Sequence, residues 1–228
     1  MGHRENESGE LRASRVGEFE RAFTAALIAG DEVAAETTIR EAMDARLMAA
    51  EIDEKIIIPA LWLIGELWER GEISVADEHV ATEIAMRVVA LQREAERVAV
   101  ARGGHRVMLA TPSGERHVVA LRMVGNLLSG AGYWTVMLGA DVPAEALVAS
   151  VIRHRPEVIC MSATMPAVSG HLLDSIAQVQ AAYPMAQFVI GGRGLSSQLR
   201  PQAGIGICHR VSEVVEAVDA RVKRAELN

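Results

Sequence analysis

Arg106-Val107-Met108-Leu109-Ala110-Thr111-Pro112-Ser113-Gly114-Glu115-Arg116-His117 is the stretch on which the fold turns. Residues 106–110 make a short, mainly apolar run of strand type, and Pro112 and Gly114 break it into an irregular turn. A helical pattern over 117–131 follows. The same alternation then recurs, with strand-like runs at 134–138, 157–162 and 187–190 and helical segments near 144–154 and 168–183. A weak last strand at 206–208 precedes a helix from about residue 212. Repeated β-α units of this length imply a parallel sheet covered on both faces. Ligands of such sheets lie beyond the carboxyl ends of the strands, so the strand-to-helix loops are where chemistry is expected.

Upstream of residue 104 the period is different. From about 16 to 102 the apolar residues recur at three and four, and four helices fit: 16–29, ending at Gly30; 32–49, with Asp31 as N-cap; 52–70, ending at Gly71; and 74–102, capped by Ser74 and closed by Gly103-Gly104. Short turns between them favour an up-and-down bundle. The expected division is a polar tail at 1–15, a helical bundle at 16–103 and an α/β domain at 104–228.

Half of the 228 residues are hydrophobic and 23% are charged, a composition that excludes wholesale disorder. The formal net charge of −7 gives no broad attraction to nucleic acid or anionic lipid. Residues 56–67 form the greasiest run, but they contain Pro59 and Glu66 and fall short of the roughly 20 residues of a membrane span. Cys160 and Cys208 lie in apolar runs, and buried free thiols in a reducing, cytoplasmic setting are expected.

Three loops hold the candidate residues. In the first, His117 follows Glu115 by two positions, so the carboxylate could accept one ring N–H and fix the tautomer of a metal-binding imidazole. By spacing alone, a solvent-exposed helix-start histidine with Glu115 favouring the helix N-terminus is the commoner arrangement. Ser162 and Thr164, after the third strand, could bond a ligand or cap the next helix. Gly191-Gly192-Arg193-Gly194, after the fourth, allows close approach to the backbone and is not the dinucleotide fingerprint.

Together these loops resemble the cobalamin-binding domain shared by methionine synthase, corrinoid methyl carriers and cobalamin-dependent mutases. That family's pattern is D-x-H-x-x-G after strand one, S-x-L or S-x-T after strand three, and G-G after strand four. The matching positions here are Glu115 to Ala120, Ser162-Ala163-Thr164 and Gly191-Gly192, and 138–143 resembles the family's loop after strand two. The resemblance implies a Rossmann-like five-stranded domain in which His117 is the lower axial ligand of cobalt. The nucleotide tail would run beside Ser162, Thr164 and the glycine pair. Glu115 stands where the family has Asp, and Ala120 where it has the final Gly.

In the helical half, Trp68 is followed after nine residues by Glu78-His79. This W-x9-E-H spacing resembles the cap of CarH-type adenosylcobalamin photoreceptors. The resemblance implies that Trp68 packs over the adenosyl group while Glu78 and His79 border it. In isolation, a bundle-core Trp and a solvated first helical turn fit as well. Glu69 stands where those photoreceptors have a second cobalt-binding His. About fifteen polar residues precede the bundle in place of their DNA-binding domain, so a stand-alone sensor is expected, with no direct nucleic-acid or membrane contact. Photolysis of the cobalt–carbon bond would change the cap and, through it, assembly or the binding of a transcription factor or other signalling partner. Related sensors also hold a bilin, such as biliverdin, and the resemblance admits one here. A homo-oligomer is expected, with a dimer as the default. The enzyme alternative is a corrinoid methyl-carrier subunit, which would need only a small upper pocket.

Overall fold

The computed structural model describes residues 2–95, 104–195, 201 and 204–226. The chain divides into two units, Met1–Ala95 and Glu96–Asn228.

The first unit is helical: α1 Gly2–Ala29, α2 Glu32–Asp44, α3 Ala49–Ile52, a π-helical turn Asp53–Ile57, α4 Ile58–Glu69 and α5 Val75–Ala95. Phe23, Leu27, Ile39, Ile52, Ile56, Ile57 and Ile64 are fully buried, and Ala35, Ala42, Ala60, Ala81 and Ala85 let the helices approach closely. The expected caps are present. Asp31 Oδ1 accepts the Ala34 N–H at 2.9 Å. Ser74 and Asp77 form a reciprocal box, with Asp77 Oδ2 accepting the Ser74 N–H and Ser74 Oγ accepting the Asp77 N–H. Gly30 and Gly71 close their helices at φ of +65° and +71°.

Two expected boundaries are corrected. Residues 2–15 are helical rather than a tail, because Glu, Arg, Leu and Ala favour helix even where no apolar stripe marks one. The second helix ends at Asp44, not 49: Arg46 adopts φ +63° and the chain restarts as α3 after Met48. The expected end of the fourth helix, 96–102, and its closing Gly103 lie outside the described residues.

The second unit is a five-stranded sheet of order β2-β1-β3-β4-β5, all neighbours parallel. Its strands are β1 Arg106–Pro112, β2 Trp134–Val142, β3 Val158–Ser162, β4 Gln187–Gly191 and β5 Ile205–Cys208. The helices are α6 Val119–Gly130, α7 Ala144–His154, α8 Ser169–Ala182 and α9 Val214–Glu226. Strand residues alternate between two cores. Met108, Ile159, Phe188 and Ile190 pack with Leu147 and Val151 of α7 and Leu172 and Ile176 of α8. Val107, Leu109, Cys160 and Val189 pack with Leu121 of α6 and Val218 and Val222 of α9. This is the two-faced burial that the near-continuous apolar strands require.

β2 runs four residues beyond the expected 138. Register shifts against β1 let it absorb Gly139 at φ +91° and Asp141 at φ +54°, residues that read as a loop in sequence. Cys160 and Cys208 are buried and form no disulfide. Strand β4 separates theirs, a spacing near 10 Å that no disulfide spans. Burial pushes the Cys160 thiol far above its usual range, and Cys208 adds to the shift.

Candidate functional site

Order 2-1-3-4-5 sends the connections from β1 and β3 to opposite faces of the sheet, and a crevice opens between the loops that leave them. A buried carboxylate bridges that crevice. Glu115, in the loop between β1 and α6, is fully buried. Its Oε1 accepts the His117 backbone N–H at 2.9 Å and contacts His117 Nδ1 at 2.6 Å. Its Oε2 reaches across to the loop after β3 and accepts the N–H groups of Thr164 at 2.6 Å and Met165 at 3.0 Å. All four partners favour the charged form. Burial alone would raise the Glu115 pKa, but these hydrogen bonds outweigh it and hold the carboxyl down to about 2.

A carboxylate can only accept, so the His117 nitrogen facing it carries a proton and donates. With Nδ1 taken, Nε2 is the ring nitrogen through which His117 could bind a metal. The His117 side chain is 56% exposed and sits two residues before α6, which starts at Val119 rather than at the expected 117. Among the described residues no three His, Cys, Asp or Glu side chains are grouped to hold a bare metal ion. A single imidazole held in this way by Glu115 fits a metal that brings its other ligands with it, as the cobalt of a corrin does.

The loops after β3 and β4 interlock. Ser162 is buried and pairs in register with Gly191. Ala163 donates its N–H to the Gly191 carbonyl at 3.0 Å and receives the Gly194 N–H at 2.9 Å. A Cβ on Gly192 would lie 2.1 Å from the Ala163 carbonyl oxygen, and one on Gly194 would lie 2.5 Å from the Met165 carbonyl carbon. Both glycines are thus needed for the two loops to pack, Gly192 by its φ of +112° as well as by close approach and Gly194 by close approach alone. Thr164 enters through its backbone N–H, where sequence reasoning weighed its hydroxyl. Met165 was missed, because backbone donors leave no residue-type signal.

In the helical unit, Trp68 lies in the last turn of α4 with 46% of its surface exposed. Glu78 and His79 lie in the first turns of α5, beyond the 70–74 connection, so the three share one end of that unit. Glu78 Oε2 contacts His79 Nδ1 at 2.6 Å, and its Oε1 accepts the Thr82 hydroxyl at 2.9 Å. Trp68 is therefore not a bundle-core residue, and the Glu–His pair at 78–79 repeats in miniature the pairing at 115–117.

Family models described as B12 binding domain match residues 20–92 and 105–219. The HTH-type transcriptional repressor CarA of Myxococcus xanthus is 31% identical over 170 residues, 72% of this chain and 57% of that protein. The chain thus spans little more than half the length of that relative. The trimethylamine corrinoid protein of Methanosarcina barkeri is 26% identical over 86% of this chain and 90% of its own. In fold, the structure of the Methanosarcina barkeri monomethylamine corrinoid protein matches with a TM-score of 0.72 at 19% identity, over 89% of this chain and 97% of that one.

Proposed function

This chain belongs to the B12 binding domain family and stands close to its CarA- and CarH-type members, and from that premise we propose that it is an adenosylcobalamin-dependent light sensor with a regulatory output. The observation that carries the reading is the buried Glu115 carboxylate, which holds the exposed His117 ring by Nδ1. A negative charge behind the ring makes Nε2 a stronger donor toward cobalt and keeps it in the ligating tautomer. Thr164 and Met165 fix that carboxylate from the other side of the crevice, so the ligand is aimed before any cofactor arrives. Bound adenosylcobalamin would supply a cobalt–carbon bond that visible light breaks. The exposed indole of Trp68, with the Glu78–His79 pair beside it along the chain, offers an aromatic face and polar groups suited to adenine and ribose. Loss of those contacts on illumination is the differential interaction that would alter assembly or the binding of a regulatory partner. A bilin would need an apolar cavity of its own, and binding of biliverdin to the loaded protein is a simple spectroscopic assay.

The match to a corrinoid protein across 90% of its length favours a second reading, a methyl-carrier subunit acting with a methyltransferase. The two separate on affinity and on light. A sensor should prefer adenosylcobalamin to methylcobalamin and change its elution volume or its partner binding after illumination. A carrier should bind both alike and show no light-dependent change in assembly.

A further inference from the structure

The turn that precedes Glu115 is held by two side chains from elements outside the loop. Residues 112–115 form a β-turn in which the Glu115 N–H bonds the Pro112 carbonyl at 3.0 Å and Gly114 has φ +83°. A positive φ at the third residue is the mark of a type II turn. Types I and II differ by a flip of the central peptide, here the unit formed by the Ser113 carbonyl and the Gly114 N–H. Both polar ends of that unit are gripped. The Gly114 N–H donates to Asp141 Oδ1 at 2.7 Å, and the Ser113 carbonyl accepts from His171 Nδ1 at 2.8 Å. Asp141 comes from the end of β2 and His171 from the first turn of α8.

We infer that Asp141 and His171 are positioning residues that lock the Ser113–Gly114 peptide in one orientation and thereby set Glu115 and His117 for the cofactor. In the flipped turn the Asp141 carboxylate would face a carbonyl oxygen and the His171 N–H would face an N–H. One charge-assisted hydrogen bond and one neutral one would be lost together. The Asp141 backbone extends the brace, because its N–H also reaches the Glu115 carbonyl at 2.9 Å and Thr111 Oγ1 at 3.0 Å, while Thr111 Oγ1 donates to the same Glu115 carbonyl at 2.6 Å. Asp141 does this at φ +54°, a left-handed conformation that Asp tolerates better than most residues. The rest of the Glu115 segment is tied inside the crevice, whereas the 113–114 peptide at the tip is gripped by these two side chains. The consequence for the cofactor rests on the function proposed above, but the lock itself is a property of the protein alone.

The test compares wild type with His171→Ala and His171→Asn, since Asn offers an N–H donor at the same distance from Cβ as Nδ1. In the cofactor-free protein, NMR hydrogen exchange at the Gly114 amide should be about fivefold faster in His171→Ala, the factor that one net hydrogen bond of about 1 kcal/mol gives. His171→Asn should return it toward wild type, with thermal midpoints of all three close together. After loading with cobalamin, the Ala variant should release the cofactor several-fold faster and lose its nitrogen-ligated absorption at a higher pH than wild type. Unchanged Gly114 exchange in His171→Ala would overturn the lock. Faster exchange with unchanged cofactor release would overturn its positioning role. If wild type takes up no cobalamin while the exchange difference stands, the lock survives and the proposed function falls.

Discussion

Glu115 satisfies four donors with two oxygens, and every consequence at the residue scale follows from that count. Glu115→Gln keeps the shape but replaces one acceptor oxygen with an NH2 that meets other N–H groups. It should lower unfolding stability by about 2 kcal/mol, the cost of leaving buried donors unpaired, as read from urea denaturation. The carboxyl also makes stability depend on acid. Its folded pKa of about 2 lies below the ordinary carboxyl value of 4.5, so its contribution is whole above pH 4.5 and is lost as pH falls toward 2. The Gln variant should therefore show a shallower loss of stability over that window, and an equal slope would show that Glu115 is not the titrating group. The pairing of Glu115 with His117 was legible in the sequence because it joins near neighbours. Its other half was not, since Thr164 and Met165 contribute N–H groups that any residue carries, and only the fold brings them to position 115.

At the scale of elements, periodicity carried most of the reading. α7 and α8 lie where the three-and-four spacing put them, and Gly30, Asp31, Gly71 and Ser74 mark their helix ends as their chemistry requires. It failed where a rule had an exception to draw on. β2 continues through Gly139 and Asp141 because a strand paired on one edge can bulge, and α1 extends through a polar stretch because helix propensity needs no apolar face. The loops after β3 and β4 give a sharp expectation. Gly192→Ala drives a Cβ into the Ala163 carbonyl and should destabilise the second unit by on the order of 3 kcal/mol, measured as a drop in its thermal midpoint. In the helical unit the proposed function gives the exposed indole at the end of α4 a selective role. Trp68→Ala should weaken adenosylcobalamin binding by about 1 kcal/mol or more while leaving hydroxocobalamin nearly unchanged, because only the former presents adenine. Equal losses for both cofactors would remove Trp68 from the upper site.

For the whole molecule, the change of period near residue 104 announced two units of different architecture, and two units are present. No described helix is long and apolar enough to cross a membrane. Under the proposed function, what light does to the chain should depend on Glu69, which stands where the resemblance to CarH-type photoreceptors implies a second cobalt-binding His. The illuminated protein should consequently exchange its cobalamin readily when cyanide is added. Resistance to exchange that disappears in His79→Ala would instead show that His79 traps the cofactor. The expectations that concern cobalamin presuppose one bond, from His117 to cobalt. The direct measurement is the absorption spectrum of adenosylcobalamin-loaded protein in darkness, for wild type and His117→Ala. Wild type should show cobalamin ligated by a protein nitrogen, and His117→Ala should retain less cofactor with the spectrum of the free or water-ligated form, while replacement of His154 changes neither. Identical spectra and retention in wild type and His117→Ala would contradict the account at its centre.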